Sequence, residues 1–388
     1  MKILELSRAV AVRGAALALA GVCQAGPLSP PSGPVTSTGK TLVEVEPRIA
    51  INATNTPGDA DSVFRIIAPG SYYLTGPVTG ATGKTMIEIA SSNVTIDLMG
   101  YALKGVPTAL AGIRASVAAT QVTIRNGVVS GFTAGIDIYF PSRVDGCVIE
   151  DIHASANTGV GISAGDRAIV RRCVSTGNTG IGIATGTASV VESCISSENG
   201  SRGFLADPGT NFTDCVAFDN VSDGFNMSNG SLTNCTARSN DTVGFDVVNA
   251  VLTGCVASFN ATAGFDATSG CHIVDSAANG NGTHGFLLSS DCQLLHCTAD
   301  SNSGAITDGA GIMVTGADNR IEGNQSTDND RGIRVTGSGN LVVRNTCSGN
   351  VINFDIAASN RYGTIVNISA SGAAAVSGSS AAGVLTTT

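Results

Sequence analysis

The sequence predicts an all-β solenoid, a chain wound into stacked coils, and three observations predict it. A pattern recurs from Ala168 to Leu288 every 20 or 21 residues: an apolar residue, then Cys, then Asn five residues on, then Gly followed by an aromatic or Ile. The Cys column is Cys173, Cys194, Cys215, Cys235 and Cys255, with Ser276 substituting and Cys297 resuming, and the aromatic column is Phe204, Phe225, Phe245, Phe265 and Phe286. A fixed period of that length is the signature of a repeat architecture in which each unit buries its apolar face only against its neighbours. Each repeat also places Val, Thr, Ser, Asn and Gly in short runs with no helical periodicity, which excludes helical repeats. Gly and Asn punctuate the runs at constant offsets, as turns joining short strands require.

Taken in order, the chain opens with Lys2, Arg8 and Arg13, a short apolar run from Gly14 to Val22 and Cys23-Gln24-Ala25. Residues 1–25 therefore read as a secretory signal cleaved after Ala25; lipidation at Cys23 is the weaker alternative because Val22 precedes it. The apolar run is too short to span a bilayer. Residues 26–62, rich in Pro, Gly, Ser and Thr at their start, are expected to form a flexible lead-in and N-terminal cap, with at most one helical turn at Thr41–Glu44. The solenoid should run from residue 63 to residue 366, and 367–388 form a low-complexity tail expected to be poorly ordered. Matching the Asn, Cys and Gly positions gives 12 coils, anchored from Asp97 to Asn345, with an insertion at Ser303–Gly309.

Removing the leader takes three cations and Glu5 from the 21 Lys+Arg and 30 Asp+Glu, leaving 18 against 29, a net of −11. Such a surface disfavours nucleic acid, anionic membrane and bare polyanionic sugars. Ten Cys remain, and one per coil in a fixed column reads as a buried stack of small hydrophobes. A second column holds Cys147, Cys271 and Cys292. Free thiols are the first reading there, and a Cys271–Cys292 bridge is the alternative, since adjacent coils lie about 4.8 Å apart. The Asn column, from Asn178 to Asn302, suits a left-handed turn and amide stacking from coil to coil.

Two stretches carry a resemblance. Pro69-Gly70-Ser71-Tyr72-Tyr73-Leu74-Thr75-Gly76 with Val94-Thr95-Ile96-Asp97-Leu98, Gly100-Tyr101, Leu103 and Gly105 is similar to the opening coils of secreted bacterial right-handed parallel β-helix proteins of the pectate-lyase-like superfamily. Asn329-Asp330-Arg331-Gly332-Ile333 through Asn350 resembles the NosD/CASH-type repeat of carbohydrate-binding proteins and sugar hydrolases. The resemblance implies a single-stranded right-handed parallel β-helix, secreted or at the cell surface, whose partner is an extracellular polysaccharide or surface glycan. If it is an enzyme, it is a polysaccharide lyase or glycoside hydrolase; the alternative is a structural or adhesive solenoid with no reaction.

The known signatures do not carry over. Galacturonan hydrolases need Asp-Asp, Gly-His-Gly and Arg-Ile-Lys; this chain has no Asp-Asp, only Thr283-His284-Gly285, and no Arg-Ile-Lys. No Arg motif of the pectate-lyase type is legible either. The candidate site comes instead from strand alternation. If the Phe column points inward its successors point outward, and these are Leu205, Asn226, Asp246, Asp266 and Leu287. Asp246 and Asp266 are the candidate catalytic carboxylates, with Asn226 and His284 as candidate ligand-binding residues. No cofactor is required; calcium on Asp246 and Asp266 is the one metal considered, because oxygen ligands suit it. A solvated polar column with no site is the plainer alternative.

Overall fold

The computed structural model describes residues 46–140, 142–302 and 309–364 and the backbone of 376–377. The chain divides into two units, Met1–Pro47 and Arg48–Thr388, and only the last two residues of the first are described. The expected leader, most of the lead-in, the Thr41–Glu44 turn, nearly all of the 303–309 insertion and nearly all of the tail lie outside the described residues. Val376–Ser377, within the stretch assigned to the tail, pairs with Phe354–Asp355.

The second unit is a right-handed parallel β-helix without a helix among the described residues. Each regular coil has three strands. In the coil containing Phe245 they are Phe245–Val248, Val251–Thr253 and Val256–Ser258. Single left-handed residues, Asn249 (φ 49°), Gly254 (φ 64°) and Phe259 (φ 56°), bend the chain after each strand. The first strands of successive coils form a 15-stranded sheet, and the second and third strands form a 26-stranded one.

The first sheet therefore shows about 15 turns, against the 12 expected. The difference lies at the ends. The turns beginning at Ser62–Ile66, Ile352–Ile356 and Val376–Ser377 lack the Cys and Asn anchors used to count. Terminal coils are capped rather than sandwiched, and so escape the composition that stacking imposes.

The core follows the two predicted columns. Phe204, Phe225, Phe245, Phe265 and Phe286 are buried and pair in register from coil to coil. Their rings stack with centroids 4.7, 4.9, 4.8 and 4.7 Å apart and planes within 8–12° of parallel, within the favoured range for aromatic pairs. Phe212, from the second strand, meets two of these rings edge-on. The Cys column is buried beside them, and the ten thiols among the described residues, including those of Cys271 and Cys292, are free. Burial pushes Cys147 up to about 11 and Cys297 up to about 12, so these thiols stay protonated and unreactive.

The Asn column is a continuous amide ladder. The side-chain oxygen of Asn260 accepts from both the backbone N–H and the Nδ2 of Asn240, at 3.1 and 2.9 Å. Its own Nδ2 donates to Ala237 O and to Asn281 Oδ1, at 3.1 and 3.0 Å. The same pattern runs from Asn157 to Asn302 and on through Asn329 to Asn350. The glycine before each Phe roofs this ladder. A Cβ on Gly244 would lie 2.6 Å from Gly264 O and 2.7 Å from Asn260 Nδ2, and one on Gly264 would meet Gly285 O and Asn281 Nδ2 at 2.7 and 2.8 Å. Only glycine lets consecutive coils close onto the amides.

Each ring is held by both neighbours, so an interior truncation is felt in full. Phe245→Ala is expected to lower stability by about 3–5 kcal/mol in chemical denaturation; a loss under about 0.5 kcal/mol would mean that the aromatic column is not core.

Candidate functional site

The inward Phe column sets an outward column one residue later, and the register gives its members through the whole stack: Arg65, Glu88, Arg114, Asp137, then Ser163, Ala184, Leu205, Asn226, Asp246, Asp266, Leu287, Met313, Arg334 and Asp355. Where charges meet in this column they are opposite. Arg65 pairs with Glu88 at 3.0 Å, Arg114 with Asp137 at 3.3 Å and Arg334 with Asp355 at 3.6 Å. Asp246 and Asp266 break the rule: two carboxylates stand in register on adjacent parallel strands.

Both are half-buried, with Asn226 and then Leu205 on one side and Leu287 on the other. Asn226, one coil earlier, donates its Nδ2 to Asp246 Oδ2 at 2.5 Å. Asp223 is buried beside them, where it accepts from Arg202 Nε at 3.1 Å and from the Thr242 hydroxyl. Desolvation raises the carboxyl of Asp246, and the charge of Asp223 raises it further, while Arg202 and the Asn226 amide oppose the shift. Asp266 has no such relief. Desolvation first, then the charges of Asp246 and Asp223, push its carboxyl up to about 6. An acid that holds its proton up to about pH 6 thus sits beside one whose smaller rise an amide opposes.

The structure brings Asp246, Asp266 and Asn226 together as expected from alternation. His284 begins the strand whose Leu287 faces Asp266, and its Nδ1 accepts the backbone N–H of Ala310 at 3.1 Å, so that nitrogen is not offered to the pair. The sequence reading missed Asp223, Arg202 and Thr242. They lie in the turns before the Gly-Phe step and beyond strand alternation, and the signal that could have found them is the charge of the residue preceding each glycine, Arg202 then Asp223. Among the described residues no three His, Cys, Asp or Glu side chains converge as metal ligands. Two carboxylates and the Asn226 amide are few for calcium, which takes 6–8 oxygens, so water or substrate would have to complete its shell.

A folded-state value above the unfolded one means that, between 3.8 and about 6, the folded protein binds the Asp266 proton more tightly than the unfolded chain. The stability this supplies is fully present below 3.8 and is lost as pH rises through about 6. Asp266→Asn is therefore expected to change the unfolding midpoint little near pH 4 and to raise it at pH 8. A gain independent of pH would show that the carboxyl titrates normally.

Residues 111–251 match the model of the right-handed β-helix region. The chain is similar in structure to the A-module of the Azotobacter vinelandii mannuronan C-5 epimerase AlgE4, at TM-score 0.52 and 16% identity, covering 76% of this chain and 89% of that one. The A-module of AlgE6 from the same organism superposes at TM-score 0.47 and 16% identity, covering 76% and 88%. Pectate lyase Pel9A gives TM-score 0.41 and 15% identity, covering 66% and 71%. No curated protein sequence matches the chain significantly. The family model and the architecture agree on the fold: the chain forms a right-handed parallel β-helix.

Proposed function

We propose that the outer face of the 15-stranded sheet binds an extracellular polysaccharide along the coil stack and that Asp246 and Asp266 cleave it as a carboxylic acid and carboxylate pair. The observation that carries this reading is the like-charge step in a column where other charges meet as opposites. Joint ionisation is penalised there, so one member keeps its proton. Support also comes from the fold, since the AlgE4 module is by name an enzyme that acts on mannuronan.

In this reading Asp266, the protonated member, gives its proton to the glycosidic oxygen as the bond from that oxygen to the anomeric carbon breaks. Asp246 supplies the oxygen that bonds to that carbon, forming a glycosyl ester; water then attacks the ester while Asp266 takes back a proton. Adjacent parallel strands lie about 4.8 Å apart, which suits the close carboxyl spacing of a retaining mechanism. Asn226 orients Asp246, and Asp223, fixed by Arg202 and Thr242, keeps the local field negative enough to hold the proton on Asp266. The acidic chain and its carboxylate-lined face favour a neutral glycan over a polyuronate; calcium enters only as an ion carried with an acidic substrate. Action outside the cytoplasm accords with the basic and apolar N-terminus, and among the described residues no helix is long and apolar enough to cross a membrane.

The missing hydrolase signatures and the absence of Trp favour a second reading, a surface solenoid that binds glycan or adheres without reaction. Reducing-sugar and unsaturated-product assays on neutral and acidic polysaccharides, with a glycan array beside them, separate the two. Asp246→Asn and Asp266→Asn are each expected to lower product release by at least about a hundredfold while glycan retention persists, and wild-type activity should fall as pH rises above about 6. Binding without product selects the second reading. Unchanged product release and calcium binding in the double variant, with only a slightly raised melting temperature, would reduce the pair to simple repulsion and remove the site.

A further inference from the structure

A second feature lies on another face and does not depend on the carboxylate pair. The residue immediately before each Asn of the amide ladder is left-handed. Along the stack these residues are Ala156, Gly177, Glu198, Asp219, Ser239, Phe259, Gly280, Ser301, Asp328 and Gly349. Nine are small or acidic, and Phe259 is the exception. A bulky side chain at φ 56° is disfavoured by sterics, and this one is also 59% exposed, so burial does not offset the cost. Such a residue at a surface is a candidate for function rather than folding.

Its surroundings hold the ring in place. The Arg238 guanidinium lies over it, 5.5 Å from the centroid. The ring also reaches Gly280 of the next coil, where a Cβ would lie 2.8 Å from the Phe259 Cε1. Phe218, 37% exposed, is in register with Arg238 one coil earlier. An aromatic, a guanidinium and an aromatic thus occupy three successive coils. Ser239, Ser258 and Asn279 flank them with hydrogen-bonding groups, and Asp219 and Asp241 add negative charge.

We infer that Phe218, Arg238 and Phe259 form a platform for a neutral, extended β-1,4-linked polysaccharide, separate from the Asp246–Asp266 face. Three considerations select that occupant. The Phe stack gives a coil pitch of 4.7–4.9 Å, close to the rise of one sugar in an extended β-1,4 chain. Alternate sugars in such a chain are flipped, so sugars two apart present the same apolar face, and the two Phe stand two coils apart with Arg238 placed for the hydroxyls of the sugar between. Acidic neighbours disfavour a polyuronate. A second protein chain is a poorer fit, since Phe side chains of about 200 Å² each, at 37% and 59% exposure, offer roughly 200 Å², against the roughly 800 Å² per partner of a stable interface.

The test is retention of the full chain on phosphoric-acid-swollen cellulose and on insoluble mannan, with polygalacturonate as the charged comparison. The wild type is expected to be retained on at least one neutral matrix and not on polygalacturonate. Phe259→Gly relieves the left-handed strain, so it should melt within a few degrees of the wild type or above it, yet lose about tenfold in retention; Phe218→Ala should weaken retention as well. Loss of retention in Phe259→Gly, with the pH dependence of product release from soluble glycan unchanged, separates this platform from the carboxylate face. Equal retention of Phe259→Gly, no retention of the wild type on either neutral matrix, or a preference for polygalacturonate would overturn the inference. So would a wild-type dimer in sedimentation that Phe259→Gly dissociates, because the patch would then be an interface between copies.

Discussion

The amide ladder from Asn157 to Asn350 is the constraint on which the rest of the coil geometry depends. Each rung joins one coil to the next by a backbone N–H and a side-chain NH2 that share one carbonyl oxygen. These groups are buried, and a buried amide without a partner costs about 1–3 kcal/mol, so the ladder tolerates neither a slipped register nor a widened pitch. The glycine before each Phe follows from this, because a Cβ there would strike the next coil and its amide. So does the Phe stack, since rings one coil apart fall at stacking distance only when the pitch holds.

Function enters through what that register does to the outside. In a strand, fixing one residue inward fixes its neighbour outward, so the core columns create surface columns that no folding requirement chooses. Most of the column after Phe is used conservatively, with oppositely charged partners across coils at both ends of the stack. At Asp246 and Asp266 the same geometry forces two carboxylates together, and the pinned Asp223 adds to the field. At Phe259 an unfavourable backbone carries an exposed ring. Both departures are costs to stability at places where neighbouring coils show a cheaper solution, and that is the physical reason for attributing function to them.

Much of the fold was legible in the sequence because a solenoid writes its core as a period. The Cys, Asn and Phe columns, their inward direction and the outward placement of Asp246 and Asp266 all followed from spacing and alternation. The end coils were not legible, because a turn such as Ile352–Ile356 and Arg361–Tyr362 has one neighbour or an irregular one and carries neither anchor. The ladder beyond Asn302 was obscured by the insertion that lengthens one coil, although Asn329 and Asn350 continue it. In the site, alternation is silent about turns, and Arg202, Asp223 and Thr242 approach the pair from turns. His284 shows the converse: proximity in sequence to the aromatic column did not give its imidazole to the carboxylates, since a backbone amide of the next coil takes Nδ1.

The most direct test of this account is hydrogen exchange in Asn260→Leu, read at the Asn240 amide alongside denaturant unfolding. Leucine keeps the branched outline, with methyls larger than the amide atoms, and removes the acceptor for two donors of Asn240 and the donor to Ala237 and Asn281. If the ladder sets pitch and register, the Asn240 amide loses its protection and stability falls by at least about 3 kcal/mol. An Asn240 amide protected as in the wild type, with stability within about 0.5 kcal/mol, would show that apolar stacking alone holds the coils and would contradict the account.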